Sequence, residues 1–341
     1  VMAAHRRMAE VALGYSPRHE AAPDGERHVR ELFDHVLARA AAFDHQAAVS
    51  DRREFRSIYH DIPILPPDQY NSLVLLASDG CRYNKCTFCD FYRDVPYRAR
   101  PLDQFQAHVE RAIKYHGNAL AARRNIFLGQ ANALMGARVW REAILQYVNE
   151  RFELPDPNTP YHQPQWWKGA PLRFTGITSF LDAFVGAKIE PDEFAVMRQL
   201  NLRQVFIGME SGSMKLLNRL RKPSDPTQML ETVLAAKQSG VAVGVIVLLG
   251  AGGEQFFDEH VDQTVQLIRE MQLAEGDHIY LSPLTEAHGA EYEEVASSDG
   301  ITLLTPQRQA EQGRLLRNGI GASPRRCGPY VAHYEVEHFV Y

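Results

Sequence analysis

Short apolar runs alternate with helical patterns along most of this chain, and that alternation restricts its fold more than any other feature. Runs rich in β-branched and aromatic residues lie at 73–76, 126–128, 172–177, 205–207, 243–249 and 278–281. Between them, helical spacing is kept by Phe105, Val109, Ala112 and Ile113 before Gly117, by the stretch 139–148, and by Phe194, Met197 and Leu200. It continues through Leu230, Val233 and Leu234 before Gly240, and through Phe257, Val261, Val265 and Ile268 before Gly276. Strands that are apolar throughout are buried on both faces, which calls for a parallel sheet covered by helices. Asp225-Pro226 and Thr305-Pro306 each set a capping oxygen before a proline, the arrangement that starts a helix. The expected class is α/β. Periodicity alone leaves open whether the sheet is doubly wound or curled into a partial barrel.

On either side of this core the pattern changes. Val29, Leu32, Phe33, Val36, Leu37 and Ala40 fall on one helical stripe, so residues 1–61 read as an N-terminal helical extension. Pro63, Pro66 and Pro67 cannot continue a helix and mark an extended entry into the main domain, 62–285. Residues 286–341 read as a helical and extended segment that closes it. The connection 154–171 holds Pro155, Pro157, Pro160 and Pro164 with Trp166 and Trp167, and reads either as a lid over a site or as a loop anchored by its indoles. Lys and Arg number 37 against 42 Asp and Glu, and the net charge of −5 weakens the case for a polyanionic partner without removing it. The longest apolar stretch, 241–251, is broken by Gly244 and Gly250 and is too short to span a bilayer. The first residues lack the apolar core of a secretory signal, so the expected location is the cytoplasm.

Four cysteines occur in the 341 residues; Cys81, Cys86 and Cys89 sit together directly after the first strand, while Cys327 stands alone. This is no disulfide framework but a metal site suited to a reducing compartment. Structural zinc takes four protein ligands, so zinc here would need a distant histidine such as His60 or His116. A 4Fe–4S cluster held by three thiolates keeps one iron open, and an open metal position is where a substrate or cosubstrate binds. Three ligands therefore argue for a reactive cluster.

The stretch 80–90, reading Gly-Cys-Arg-Tyr-Asn-Lys-Cys-Thr-Phe-Cys-Asp, resembles the cluster loop of the radical S-adenosylmethionine (radical SAM) enzymes. That loop follows the first strand of a partial (β/α)6 TIM-like barrel. Phe88 takes the aromatic place before the last cysteine, while the spacing is C-x4-C-x2-C where C-x3-C-x2-C is usual; the loop looks most like the Elp3-like and methylthiotransferase-like branch. The resemblance implies that Cys81, Cys86 and Cys89 hold the 4Fe–4S cluster. It places Gly129, Gln130 and Ala131 at the second-strand segment whose backbone meets the SAM amino group, with Gln130 where the family has an acid. Glu210 and Ser211 correspond to a fourth-strand segment at the ribose or methionine end. Arg221 and Lys222 match a basic position that pairs with the SAM carboxylate, and Gly250 and Ala251 a glycine-rich turn near adenine.

What the resemblance implies chemically is one-electron cleavage of SAM to methionine and a 5′-deoxyadenosyl radical, which takes a hydrogen atom from substrate. Cys327 is then a candidate hydrogen donor to a substrate radical, or a small buried hydrophobe. Tyr330, Tyr334 and Tyr341 either relay hydrogen atoms or, as the favoured reading, pack the C-terminal segment. A single remaining cysteine argues against an auxiliary cluster, and 258–260 (Asp-Glu-His) does not fit the Asp-x-His-x-x-Gly element of a cobalamin domain. The expected substrate is a small biosynthetic metabolite, with RNA or peptide modification as the alternative and a non-enzymatic zinc-binding interaction protein as a remote one. The expected partner is an electron donor such as flavodoxin or ferredoxin, with no membrane.

Overall fold

The structure is a computed structural model and describes residues 34–40, 42–159, 174–184, 188–285, 290–321 and 328–334. The chain divides into two compact units, Val1–Asp61 and Ile62–Tyr341. In the first, residues 34–40 are helical, and α1 (His45–Ile58) is capped by Asp44, whose carboxylate accepts the Ala47 N–H at 2.8 Å. Of the apolar stripe expected here, Val29, Leu32 and Phe33 lie outside the described residues, and Val36 is exposed.

The second unit is built on one seven-stranded sheet. Its strands are β1 (Leu73–Leu76), β4 (Ile126–Gly129), β5 (Ile177–Phe180), β6 (Leu202–Glu210), β7 (Ala242–Leu249), β8 (His278–Pro283) and β9 (Tyr330–His333). They lie side by side in that order, and every neighbouring pair is parallel. The intervening helices are α2 (Leu102–His116), α3 (Arg138–Arg151), α4 (Pro191–Gln199), α5 (Met214–Arg219), α6 (Pro226–Gln238) and α7 (Phe257–Glu270). Two more, α8 (Ala290–Ser298) and α9 (Pro306–Ile320), precede β9.

This order settles what periodicity left open. A doubly wound sheet reverses direction once, sending helices to both faces. Here each crossover advances the same way, so right-handed connections put the helices on one face and the sheet curls as a partial barrel. The other face is interior and filled by aromatic rings. Phe127 meets Phe180 edge-on at 5.2 Å, Phe180 meets Phe206 at 6.2 Å, Phe206 meets Tyr280 at 6.2 Å, and Tyr280 meets Tyr334 at 5.8 Å. Gly244 makes room for this layer, since a Cβ there would stand 2.5 Å from the Phe206 ring. The caps expected at Asp225 and Thr305 are present: Asp225 accepts from Thr227 and Gln228, and Thr305 from Arg308.

The third barrel strand lies later than its expected position, at Ile177–Phe180 in place of 172–177. Gly176 is the reason. Its φ of +149 interrupts the strand, and a side chain there would run into Arg203. Among the described residues, no helix is long and apolar enough to cross a membrane.

Candidate functional site

In a parallel barrel the βα connections gather at the C-terminal ends of the strands. The first of these holds the cysteines. A two-residue strand β2 (Ser78–Asp79) pairs with β3 (Arg98–Ala99) and closes the base of the loop between them. The base is locked by Asp79 and Arg100, both nearly buried, 2.7 Å apart. Within the loop Asn84 adopts a left-handed φ of 51, and its Nδ2 donates to the Tyr92 carbonyl at 2.6 Å. The Arg93 guanidinium donates to the carbonyls of Asn84 and Cys86, while the Thr87 N–H reaches the Leu220 carbonyl beyond α5 at 3.0 Å.

Cys81, Cys86 and Cys89 open onto one cavity of about 150 Å³. Its wall continues through Phe88, Ala131, Asp182, Glu210 and Lys222, and through an apolar surface that includes Phe180, Phe206, Ile246, Leu248 and Tyr334. Burial pushes the thiols of Cys86 and Cys89 up to about 12, and that of Cys81 in the same direction. The protein alone therefore keeps them protonated, and a bound cation has to draw the protons off.

Opposite the thiols, Lys222 Nζ lies 3.0 Å from Glu210 Oε1, with side chains 5% and 8% exposed. Glu210 ends β6 at a register shift and has a φ of 61. Gly208 leaves space for the pair, because a Cβ there would come within 2.5 Å of Glu210 Oε1 and 3.2 Å of Lys222 Nζ. The ammonium also sits over the rings of Phe88 and Phe184, at 5.8 and 5.7 Å. Burial opposes its charge, but Glu210, Cys86 and Asp182 outweigh that and hold its pKa above the ordinary lysine value. Asp182 follows β5. Its Oδ2 is shut from solvent without a hydrogen-bond partner, and burial raises the carboxyl to about 7 against the pull of Lys222 and with the push of Glu210.

The residues singled out from sequence thus separate. Phe88, Ala131, Glu210 and Lys222 join the three cysteines at the cavity. Gly129 packs beneath, beside Leu76 and Val74, and Gln130 turns its side chain to the Gly80 N–H. Ser211 is bound to His260 Nδ1 at 2.8 Å, and Arg221 is exposed and paired with Glu291. Gly250 and Ala251 are not brought to this cavity. The Gly250 N–H donates to Gln312 Oε1 at 2.8 Å, and Ala251 joins an apolar cluster with Leu216, Leu220 and Tyr292; the residues of β7 that reach the cavity are Ile246 and Leu248. Cys327, Tyr341, Trp166 and Trp167 lie outside the described residues.

The connection after α3, whose middle, with Trp166 and Trp167, lies outside the described residues, leaves the helix and enters β5 at the N-terminal end of the strands. Its first part is held there by buried Arg203, which donates to the carbonyls of Asp156, Pro157 and Thr159. Sequence reasoning missed Asp182, because placing the strand at 172–177 hid the fact that an acid stands two residues past a strand end.

The sequence model of the Radical SAM superfamily matches residues 75–268, from β1 into α7. The chain belongs to the radical SAM superfamily. This superfamily uses a 4Fe–4S cluster and SAM, and the residues present suit both. Among the described residues no three His, Cys, Asp or Glu side chains converge as a single-ion site requires, and His116 is buried on α2 with its pKa lowered to about 4 by burial and by Arg123. A cubane attaches its thiolates to different irons, so its cysteines need to share a cavity, not a point.

Coproporphyrinogen III oxidase (HemN) from Escherichia coli, a radical SAM enzyme, is similar in fold, with a TM-score of 0.50 and 13% identity over 78% of this chain and 55% of that chain. This radical SAM chain thus spans about half of HemN. Methylornithine synthase (PylB) has a TM-score of 0.47 and 15% identity over 81% of this chain and 74% of that one. TsrM from Kitasatospora setae, a radical SAM methyltransferase with cobalamin and a 4Fe–4S cluster bound, has a TM-score of 0.46 and 15% identity over 69% and 38%. No curated protein matches in sequence.

Proposed function

We propose that this radical SAM protein cleaves SAM reductively and abstracts a hydrogen atom from a small-molecule substrate. The observation that carries the reading is the convergence of Cys81, Cys86 and Cys89 with Asp182, Glu210 and Lys222 on one cavity at the strand ends. When bound, the cluster and SAM supply one-electron cleavage of a sulfonium C–S bond and, from it, hydrogen-atom abstraction. The chain's own residues do the rest. Lys222 would pair with the SAM carboxylate and Asp182 would take its ammonium, while Glu210 holds Lys222 in place. Phe180, Phe206, Ile246 and Leu248 keep water from the reacting atoms, which a hydrogen-abstracting centre requires. The apolar wall also favours a small molecule over an RNA strand, whose phosphates would need cations there. The longer cysteine spacing supports the Elp3-like and methylthiotransferase-like branch, and a flavodoxin- or ferredoxin-class protein is the expected electron donor.

Anaerobic reconstitution with iron and sulfide, then SAM and dithionite, tests this. The expected result is one cubane per chain and release of 5′-deoxyadenosine, both lost on replacing the three cysteines by alanine. One zinc per chain and no 5′-deoxyadenosine would overturn it.

A further inference from the structure

The two backbone amides that flank Cys81 are both held by side chains from the end of β4. The Gly80 N–H donates to Gln130 Oε1 at 2.5 Å, and the Arg82 N–H donates to Asn132 Oδ1. We infer that Gln130 and Asn132 form a two-point latch that positions Cys81, and so govern how firmly the cluster is held and at what potential it is reduced. The inference rests on the reading of the three cysteines as cluster ligands.

The Arg82 N–H lies on the peptide that directly follows the Cys81 Cα, so Asn132 restrains that side directly, while the Gly80 N–H lies on the Asp79–Gly80 peptide, so Gln130 anchors the chain one residue ahead of the cysteine. The hydrogen bonds from Asn84 to the Tyr92 carbonyl and from Arg93 to the Asn84 and Cys86 carbonyls tie the loop to itself, whereas these two tie the residues beside Cys81 to the sheet. The latch is rigidly mounted. The Ala77 N–H donates to the Gly129 carbonyl at 2.8 Å, and the Gln130 N–H to the Ser78 carbonyl at 3.1 Å. Both side chains are buried, Gln130 at 3% and Asn132 at 0% exposure. Asn132 must turn its oxygen to the Arg82 N–H, which leaves Nδ2 buried without an acceptor. A leucine would fill that space without an unpaired donor, so what the amide contributes is the contact itself.

The latch also sets the polarity around the sulfur. With the Gly80 and Arg82 N–H groups engaged by oxygen, Cys81 is left facing the N–H groups of Tyr83 and Asn84. Removing an acceptor frees a further N–H for sulfur, and hydrogen bonds to cluster sulfurs raise the reduction potential, while added negative charge lowers it.

The test uses the full chain, reconstituted anaerobically, and reads iron release to a chelator and the midpoint potential followed by electron paramagnetic resonance. Gln130→Met and Asn132→Leu keep size and lose the acceptor. Each is expected to release iron about tenfold faster, as when a group orienting a metal ligand is lost, and to shift the potential positive. Gln130→Glu keeps the acceptor and adds charge, so its release rate stays at the wild-type level and its potential shifts negative. Unaltered release and potential in the Met and Leu variants overturn the latch, as does Gln130→Glu releasing iron as fast as Gln130→Met. A wild-type chain that takes up no cubane overturns the cluster reading and the latch with it; a wild-type cubane with indifferent variants overturns the latch alone.

Discussion

Lys222 and Glu210 face each other across 3.0 Å inside the barrel mouth, a cation and an anion both nearly sealed from water. Removing one member of such a pair strands the other, at a cost of about 3–5 kcal/mol, while removing both is far milder. Lys222→Met is therefore expected to lower the unfolding temperature markedly and to weaken SAM binding to the cluster-loaded protein by more than about tenfold. The double change Lys222→Met with Glu210→Gln recovers most of the stability and none of the binding. Thermal unfolding beside equilibrium dialysis with SAM separates the two effects, and recovered binding in the double variant would contradict Lys222 as the carboxylate partner.

Gly208 makes the same pair possible by what it lacks. Gly208→Ala places a methyl group 2.5 Å from Glu210 Oε1, so the carboxylate has to shift. A loss of about 1–3 kcal/mol is expected from overpacking, with weaker SAM binding at unchanged iron content. Denaturant unfolding and iron analysis check this.

With the thiols of Cys86 and Cys89 pushed up to about 12, cluster uptake must release their protons. Uptake is therefore favoured by rising pH. Iron retained after chelator challenge should climb from pH 6.5 to pH 8.5, and mixing in weak buffer should report proton release approaching one per cysteine. A flat retention profile would show that the thiols are already ionised.

Asp182 carries the opposite kind of linkage. Its carboxyl rises from 3.8 to about 7 on folding, chiefly by burial, so between those values the folded chain binds more protons than the unfolded one. Stability of the cofactor-free protein then falls as pH rises through that window. Asp182→Asn removes the dependence. Its unfolding temperature should match that of the wild type near pH 4 and exceed it by a few degrees at pH 7.5. A constant difference across that range would assign the effect to packing.

How far the site was legible follows from where each signal is stored. Cys81, Cys86, Cys89 and Phe88 lie on one short loop, so their spacing is itself the signal. Glu210 and Lys222 could be found because each sits near the end of a recognisable segment. Asp182 was hidden by a strand placed too early, and what surrounds the glycine-rich turn was not legible locally: Gly250 lies against Gln309, and its N–H donates to Gln312.

Apolar runs and helical stripes by themselves determined an α/β chain with a parallel sheet, since burial on both faces of a strand is written in its composition. Three clustered thiols directly after the first strand carried the resemblance to the radical SAM cluster loop. The tertiary structure alone decided that the strands follow one another without reversal and curl around Phe127, Phe180, Phe206 and Tyr280. It alone placed Asp182 opposite the cysteines and turned Gln130 and Asn132 onto the cysteine loop. Those contacts join residues tens of positions apart, and local sequence holds no record of which distant partners the closing of the sheet will bring within hydrogen-bond reach.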